Sequence, residues 1–114
     1  MQLFVHIASN TETVEPILNG LLENGISGAT TVDCKGMLRV LNESTSEPPP
    51  IVGSLRHFLN PEHESGKMIL IVLKDEDVPI VKEIIHRICG SLKQPNAGIL
   101  FTVPVMNWEG VSHK

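Results

Sequence analysis

The chain has 114 residues, of which 41% are hydrophobic and 4% aromatic, and its formal net charge at pH 7 is −4. A chain of this length forms one domain, and we predict a single domain over residues 1–114 with a long flexible loop at residues 42–66. The acidic balance excludes the basic surface on which non-specific binding to nucleic acid or anionic membranes depends, so we expect no nucleic-acid partner.

The first predicted elements are a strand and a helix. Residues 3–8 have the composition of a strand, and we expect His6 within it to be a core or interface histidine. Apolar residues then follow at the spacing of one helix face. We place the start of this helix near Thr13, a good N-cap residue, and its end at Gly25. The predicted buried stripe consists of Val14, Ile17, Leu18, Leu21 and Leu22.

A second strand is predicted over residues 29–41, with Gly36 interrupting it as a bulge or a point of close backbone approach. Residues 42–66 have no clear period and contain three consecutive prolines, which exclude ladder pairing there. An irregular loop of this length in a small domain is typical of a functional or disordered segment.

The strand–helix–strand pattern then repeats. Residues 67–73 form a continuous apolar run, in which the side chains of Met68 and Ile69 and their successors alternate between the two faces. Three acidic residues open a second helix, which Gly90 ends, and residues 99–106 read as the last strand. The predicted buried stripe of this helix consists of Val78, Val81, Ile84, Ile85 and Ile88.

Two such units predict an α+β, ferredoxin-like βαββαβ fold: a four-stranded antiparallel sheet with two helices on one face. The other face of a monomer should be polar. The third and fourth strands nevertheless carry apolar side chains on both faces. We therefore expect the open face to be buried in a homo-oligomer.

Residues 25–39 carry a family resemblance. They read Gly-Ile-Ser-Gly-Ala-Thr and, further on, Lys-Gly-Met-Leu-Arg. This segment resembles the second-strand region of nitrogen regulatory P-II proteins, whose pattern is Gly-Ile-x-Gly-x-Thr followed by Lys-Gly-x-Gly-Arg, and residues 98–105 look like the last strand of that family. The resemblance implies a P-II-like signal-transduction homotrimer that binds a small effector, commonly an adenine nucleotide, in clefts between subunits. It also implies nitrogen regulation and a target protein contacted through loop 42–66.

The resemblance also implies the positions of the site. Gly28, Thr30, Gly36 and Arg39 correspond to residues that line the nucleotide cleft of the family. Residues 93–98 correspond to a second, phosphate-contacting loop, in which we select Lys93, Asn96 and Gly98 as binding residues. Glycines permit close approach of the backbone to a ligand, and an arginine can pair with a phosphate.

The chain departs from the family pattern at phosphate-binding positions. The family's Gly-Asp-Gly-Lys is Asn96-Ala97-Gly98-Ile99 here, and its two C-terminal arginines correspond to Gly110 and Ser112. Typical ATP-binding residues are therefore partly missing, and the sequence leaves the effector unidentified.

Other interpretations of the same segments remain open. Lys35 and Gly36 with Arg39 also fit a strand bulge with solvated charges. A trimeric divalent-cation tolerance protein of similar fold would use the loop residues His57, Glu62, His63 and Glu64, although their spacing matches no established zinc pattern and a solvated loop is favoured. A third alternative is a regulatory amino-acid-binding module.

Targeting and catalytic signals are absent from the sequence. No apolar run approaches the roughly 18 residues of a membrane span, and no basic stretch precedes the first strand as in a signal peptide. Cys34 and Cys89 lie inside apolar segments, which favours reduced thiols. Common nucleophile, phosphate-loop and zinc-protease motifs are missing. We therefore expect a cytoplasmic protein that is not an enzyme, has no catalytic or metal-ligating residues and does not insert into a membrane.

Overall fold

The computed structural model describes residues 1–37, 40, 41, 65–90, 92 and 98–111. Within them four strands and two α-helices follow one another in the order β1, α1, β2, β3, α2, β4. The strands are β1 (Gln2–Ala8), β2 (Thr30–Lys35), β3 (Ser65–Leu73) and β4 (Ile99–Pro104), and the helices are α1 (Val14–Glu23) and α2 (Val78–Cys89). The predicted α+β, ferredoxin-like fold is confirmed.

One antiparallel sheet contains all four strands in the order β2-β3-β1-β4. The register pairs Phe4 of β1 with Ile71 of β3 and with Thr102 of β4. Strand β2 continues the sheet on the far side of β3, where Thr31 lies opposite Ile69. Strands β2 and β4 are thus the two outer strands among the described residues.

Both helices pack on one face of the sheet, and the core lies between them and the strands. Strand β3 contributes Ile69, Ile71 and Leu73 to this core, which are at most 1% exposed. The helices contribute Val14, Ile17, Leu21, Val81, Ile84 and Ile85, all buried. Leu18, Val78 and Ile88 are partly buried against the same cluster. The helical spacing therefore identified the core-facing residues, with the exception of Leu22, which is 65% exposed.

The start of the first helical region is capped by Asn10 and not by Thr13. The Asn10 side chain accepts a hydrogen bond of 3.0 Å from the Glu12 backbone N–H and opens a 3-10 turn over Thr11–Thr13. The Thr13 hydroxyl instead donates to the Asn10 carbonyl oxygen at 2.7 Å. Asparagine outranks threonine as a cap. The α-helix itself begins at Val14, next to Thr13, as predicted, although the Thr13 side chain makes no cap bond. At the other end Gly25 adopts φ = 77°, the left-handed conformation predicted for it.

The second strand is shorter than predicted. It ends at Lys35, so the prediction of a strand over residues 29–41 is wrong beyond that residue. Gly36 follows the strand, and Met37, Val40 and Leu41 are helical. The Val40 N–H donates to the Gly36 carbonyl oxygen at 3.1 Å, a helical i to i−4 bond. Glycine weakens a strand, whereas methionine and leucine favour a helix.

Two other strand limits also differ from the prediction. Strand β3 begins at Ser65, so Ser65 and Gly66 belong to the sheet and not to the predicted loop, of which residues 42–64 lie outside the described residues. Strand β4 ends at Pro104, two residues before the predicted limit at Met106. No helix among the described residues has the length and apolar character that crossing a membrane would require.

Candidate functional site

The face of the sheet opposite the helices is apolar. The strand register places cross-strand neighbours in rows on this face. One row is Thr30, Leu70, Val5 and Phe101, the next is Val32, Met68, Ile7 and Ile99, and a third is Val72, Leu3 and Val103. We call these eleven residues the open face. Its outer members are exposed: Ile99 at 54%, Phe101 at 44% and Val32 at 42%.

A cavity of about 370 Å³ lies at one end of the open face. Gly28 and Thr30, both selected from the sequence, line it together. Leu3, Leu70 and Val72 of the open face form its apolar wall. Its polar contribution from side chains is the Thr30 hydroxyl, because the other described lining residues are aliphatic or glycine.

The C-terminal segment closes this cavity and reaches it from the β4 edge of the sheet. Its first residue, Val105, donates a backbone hydrogen bond of 3.1 Å to the Met1 carbonyl oxygen, next to β4. Gly110 and Val111 line the cavity beside Thr30 of β2, at the opposite edge. The chain between them therefore crosses the end of the sheet, exposing Met106 at 88% and Trp108 at 50%.

The other predicted site residues lie elsewhere. Gly36 is half-buried after the end of β2, next to a recess that Lys35, Cys34 and Lys67 line with Thr11 of the 3-10 turn. An ion pair of 3.8 Å joins Lys67 to Asp33 there. Gly98 lines a separate groove between α2 and β4.

Several predicted residues lie outside the described part of the chain. They are Arg39, Lys93, Asn96, His57, Glu62, His63 and Glu64. Within one subunit the structure thus brings Gly28 and Thr30 together and separates them from Gly98. In the described ranges no three histidine, cysteine or acidic side chains cluster as a metal site would require, and Cys34 and Cys89 are free thiols.

The one buried ionisable side chain among the described residues is His6, as expected of a core histidine. Its Nδ1 lies 3.0 Å from the Ile99 carbonyl oxygen, and its buried Nε2 has no hydrogen-bond partner among the described residues. Burial lowers the pKa of this imidazole below 6.5, partly offset by the bond to Ile99. The ring lies on the helix-covered face, opposite Leu100 and Ile69 in the register, so it does not contribute to the open face.

A second perturbed group lies at the end of the sheet where β1 begins. The Gln2 side chain donates to an Asp75 carboxylate oxygen at 3.1 Å, and the Met1 amino group lies 3.4 Å from the same oxygen. Both lower the pKa of Asp75. Asp75 is exposed at the start of the second helical region. These contacts therefore link the start of β1 to that helical region at the protein surface.

Two groups of candidate residues were missed from the sequence. The first is the C-terminal pair Gly110 and Val111, which line the cavity beside Thr30. The resemblance aligned Gly110 with a family arginine, but neither residue was selected for the site. The second is Lys82 with His86, which line the groove with Gly98. The four-residue spacing of the latter pair on a predicted helix was a usable signal.

Comparison with known proteins gives no family assignment: no protein-family model matches this chain, and no curated protein matches it.

Proposed function

We propose that this chain is a P-II-like regulatory protein of the cytoplasm that forms a homotrimer, binds a small effector between subunits and signals through loop 42–66. The observation that carries the proposal is the continuity between the open face and the cavity at Gly28 and Thr30. The sequence resemblance supplies the family, and the proposal includes a role in nitrogen regulation on that basis alone.

The open face supports self-association. Contiguous apolar patches of this kind on a soluble domain are typical of interaction surfaces, and burying one large aliphatic or aromatic side chain contributes roughly 1.5–3 kcal/mol. Phe101, Ile99 and Val32 remain partly exposed in the single chain, so several such contributions are available to an assembly. A second and a third copy are the partners that present the same apolar surface in return.

The cavity supports a ligand with a flat, largely apolar part. Leu70 and Val72 offer an aliphatic wall to such a ring, and the Thr30 hydroxyl can donate or accept one hydrogen bond at its edge. Because Thr30 and Leu70 belong to the open face, a neighbouring subunit packed there would also border the cavity. This arrangement fits the base of a nucleotide bound between subunits, with its phosphates held by residues outside the described ranges.

Loop 42–66 supports the signalling part of the proposal by its position. It connects the helical residues that follow β2 with β3, which begins at Ser65. Lys35 of β2 and Lys67 of β3, on either side of this connection, line one recess. An effector bound at Thr30, where β2 begins, would be coupled to the loop through the length of β2, and ordering of the loop by an effector is the switch we propose. No catalytic step is part of the proposal.

The proposal is tested by mass and by ligand binding. Light scattering of the purified chain at micromolar concentration should give three times the 12.5 kDa of one chain, and a monodisperse monomer would refute the assembly. A thermal-shift screen should then include adenine nucleotides, cyclic dinucleotides, 2-oxoglutarate, amino acids and divalent metals. A ligand at about 100 times its Kd stabilises the folded state by roughly 2.7 kcal/mol. If the trimer were stabilised by metals alone, the effector would be a divalent metal and not a nucleotide.

A further inference from the structure

A groove of about 690 Å³ lies on the helix side of the sheet, between α2 and the outer strand β4. It is distinct from the cavity at Thr30, which lies at the other outer strand on the open face. Lys82 and His86 form its α2 wall, and Leu100, which lies on the helix-covered face in the register, forms its β4 wall. The function proposed above does not use Lys82 or His86.

Lys82 and His86 line the groove from one face of α2. Residues four apart on a helix are surface neighbours, with Cβ atoms about 5–6 Å apart. The neighbouring faces of the helix have other contacts: Val81 and Ile85 are buried in the core, and Arg87 approaches Gly20 of α1. The helix therefore presents two adjacent nitrogen donors to the groove and directs its apolar residues elsewhere.

Strand β4 contributes a backbone donor to the same groove. The Val105 N–H bonds to the Met1 carbonyl oxygen, and hydrogen-bonded pairs alternate along an antiparallel ladder. Leu3, Val5 and Ile7 are therefore the β1 residues that exchange backbone bonds with β4. Leu100 belongs to the alternate set, so its N–H points away from β1, toward the edge where no described strand pairs with β4.

The charge of the groove is opposite to that of the chain. The sequence carries 13 acidic and 9 basic residues, yet no carboxylate is among the described residues that line the groove. A lysine ammonium has three N–H donors, and an imidazole has at least one in either protonation state. The walls between these donors are aliphatic, so the groove combines an oxyanion-binding end with an apolar surface.

We propose that this groove binds a small organic anion, a carboxylate or phosphate monoester with an apolar body. The anionic oxygens contact Lys82, His86 and the outward N–H of Leu100, and the apolar body packs on Leu92 and Leu100. The site is a second one in each chain and is independent of the assembly through the open face, because it lies on the opposite side of the sheet.

The test is a titration of the ¹⁵N-labelled full chain with benzoate and with phenyl phosphate, followed by amide chemical shifts. Benzamide is the matched neutral probe, since it keeps the ring and replaces the carboxylate by an amide. We expect saturable shifts at Gly90, Gly98 and Leu100 with the anions and none with benzamide. Lys82→Gln and His86→Gln should each weaken binding about tenfold, as expected for loss of a hydrogen bond between a charged group and its partner.

Lys74→Gln is the matched control, because Lys74 is an exposed lysine just before α2 that does not line the groove. It should bind the anions as the unmodified chain does. Three results would overturn the proposal. They are variants of Lys82 and His86 that bind the anions as tightly as the unmodified chain, benzamide that binds as well as benzoate, and shifts confined to the region of Thr30. Because the readout is local to the groove, its failure is distinguishable from failure of the trimer or of the Thr30 cavity.

Discussion

The imidazole of His6 is bonded to the backbone of Ile99, with 3.0 Å between Nδ1 and the carbonyl oxygen. A carbonyl oxygen only accepts, so Nδ1 carries the proton. The buried Nε2 has no hydrogen-bond partner in the part of the chain that the structure describes, which fits the bare nitrogen of a neutral ring. This bond ties β1 to β4 and holds the ring in one tautomer.

Acid should destabilise the protein through this ring. Burial lowers the folded-state pKa of His6 below 6.5, so between that lowered pKa and 6.5 the unfolded chain binds a proton that the folded chain does not. The stability contributed is therefore fully present above pH 6.5 and is lost as the pH falls toward the folded-state pKa. Urea unfolding between pH 8 and pH 5 should show a falling free energy of unfolding.

His6→Leu should flatten this pH dependence, because leucine fills the buried position without a titrating group. His86→Gln is its control, since His86 is exposed, and should retain the slope. If His6→Leu and the unmodified chain lost stability in parallel below pH 6.5, the titration would belong to other groups.

Gly66→Ala should destabilise the fold by about 1–3 kcal/mol, the usual cost of overpacking. A Cβ at Gly66 would overlap the carbonyl oxygen of Ala8, an atom of the β1 backbone that cannot turn aside. Thermal and urea unfolding measure the loss. Gly25→Ala is an instructive comparison, because Gly25 has φ = 77° and open space around it, so it tests backbone strain without a clash. A Gly66→Ala protein as stable as the unmodified chain would show that the end of β1 can move.

The two-faced apolar pattern of residues 67–73 was sufficient to predict both the core and the open face, since strand side chains alternate strictly. The helical stripes likewise predicted the core, because burial follows a 3.6-residue period. The limit of β2 was not predictable in this way. Apolar residues continue past Gly36, and their change from strand to helix depends on backbone bonds such as that from Val40 to Gly36.

The candidate site was predictable only in part. Gly28 and Thr30 were found because they are close in sequence and belong to one motif. Their neighbours Gly110 and Val111 come from the far end of the chain, and the signal for that contact was the resemblance, which aligned Gly110 with a C-terminal arginine of the P-II family. The groove at Lys82 was not predicted, because its lining depends on which side of α2 faces β4. That in turn depends on the order of the strands in the sheet.

Phe101→Glu should dissociate the proposed homotrimer. The Phe101 side chain lies in the open face and is 44% exposed in the single chain, and a buried unpaired carboxylate at an interface is strongly unfavourable. Ile80→Glu is the matched control, since Ile80 is also apolar and 38% exposed but lies on α2. Light scattering should give a monomer mass for the first variant and a trimer mass for the second. A trimer that survives Phe101→Glu would place the interface elsewhere.

Thr30→Val should weaken effector binding and leave the fold intact. Valine keeps the shape of the side chain and removes the hydroxyl, which is the polar side-chain group of the cavity. Loss of one hydrogen bond in such a site costs about 0.5–1.5 kcal/mol, which corresponds to a twofold to about tenfold higher Kd. Isothermal titration with the adenine nucleotide that gives the largest thermal shift measures this change. Thr31→Val is the control, because Thr31 is the next residue of β2 and points to the opposite face. If both variants bound the nucleotide equally, the effector would contact neither hydroxyl, and the cavity at Gly28 would not be its site.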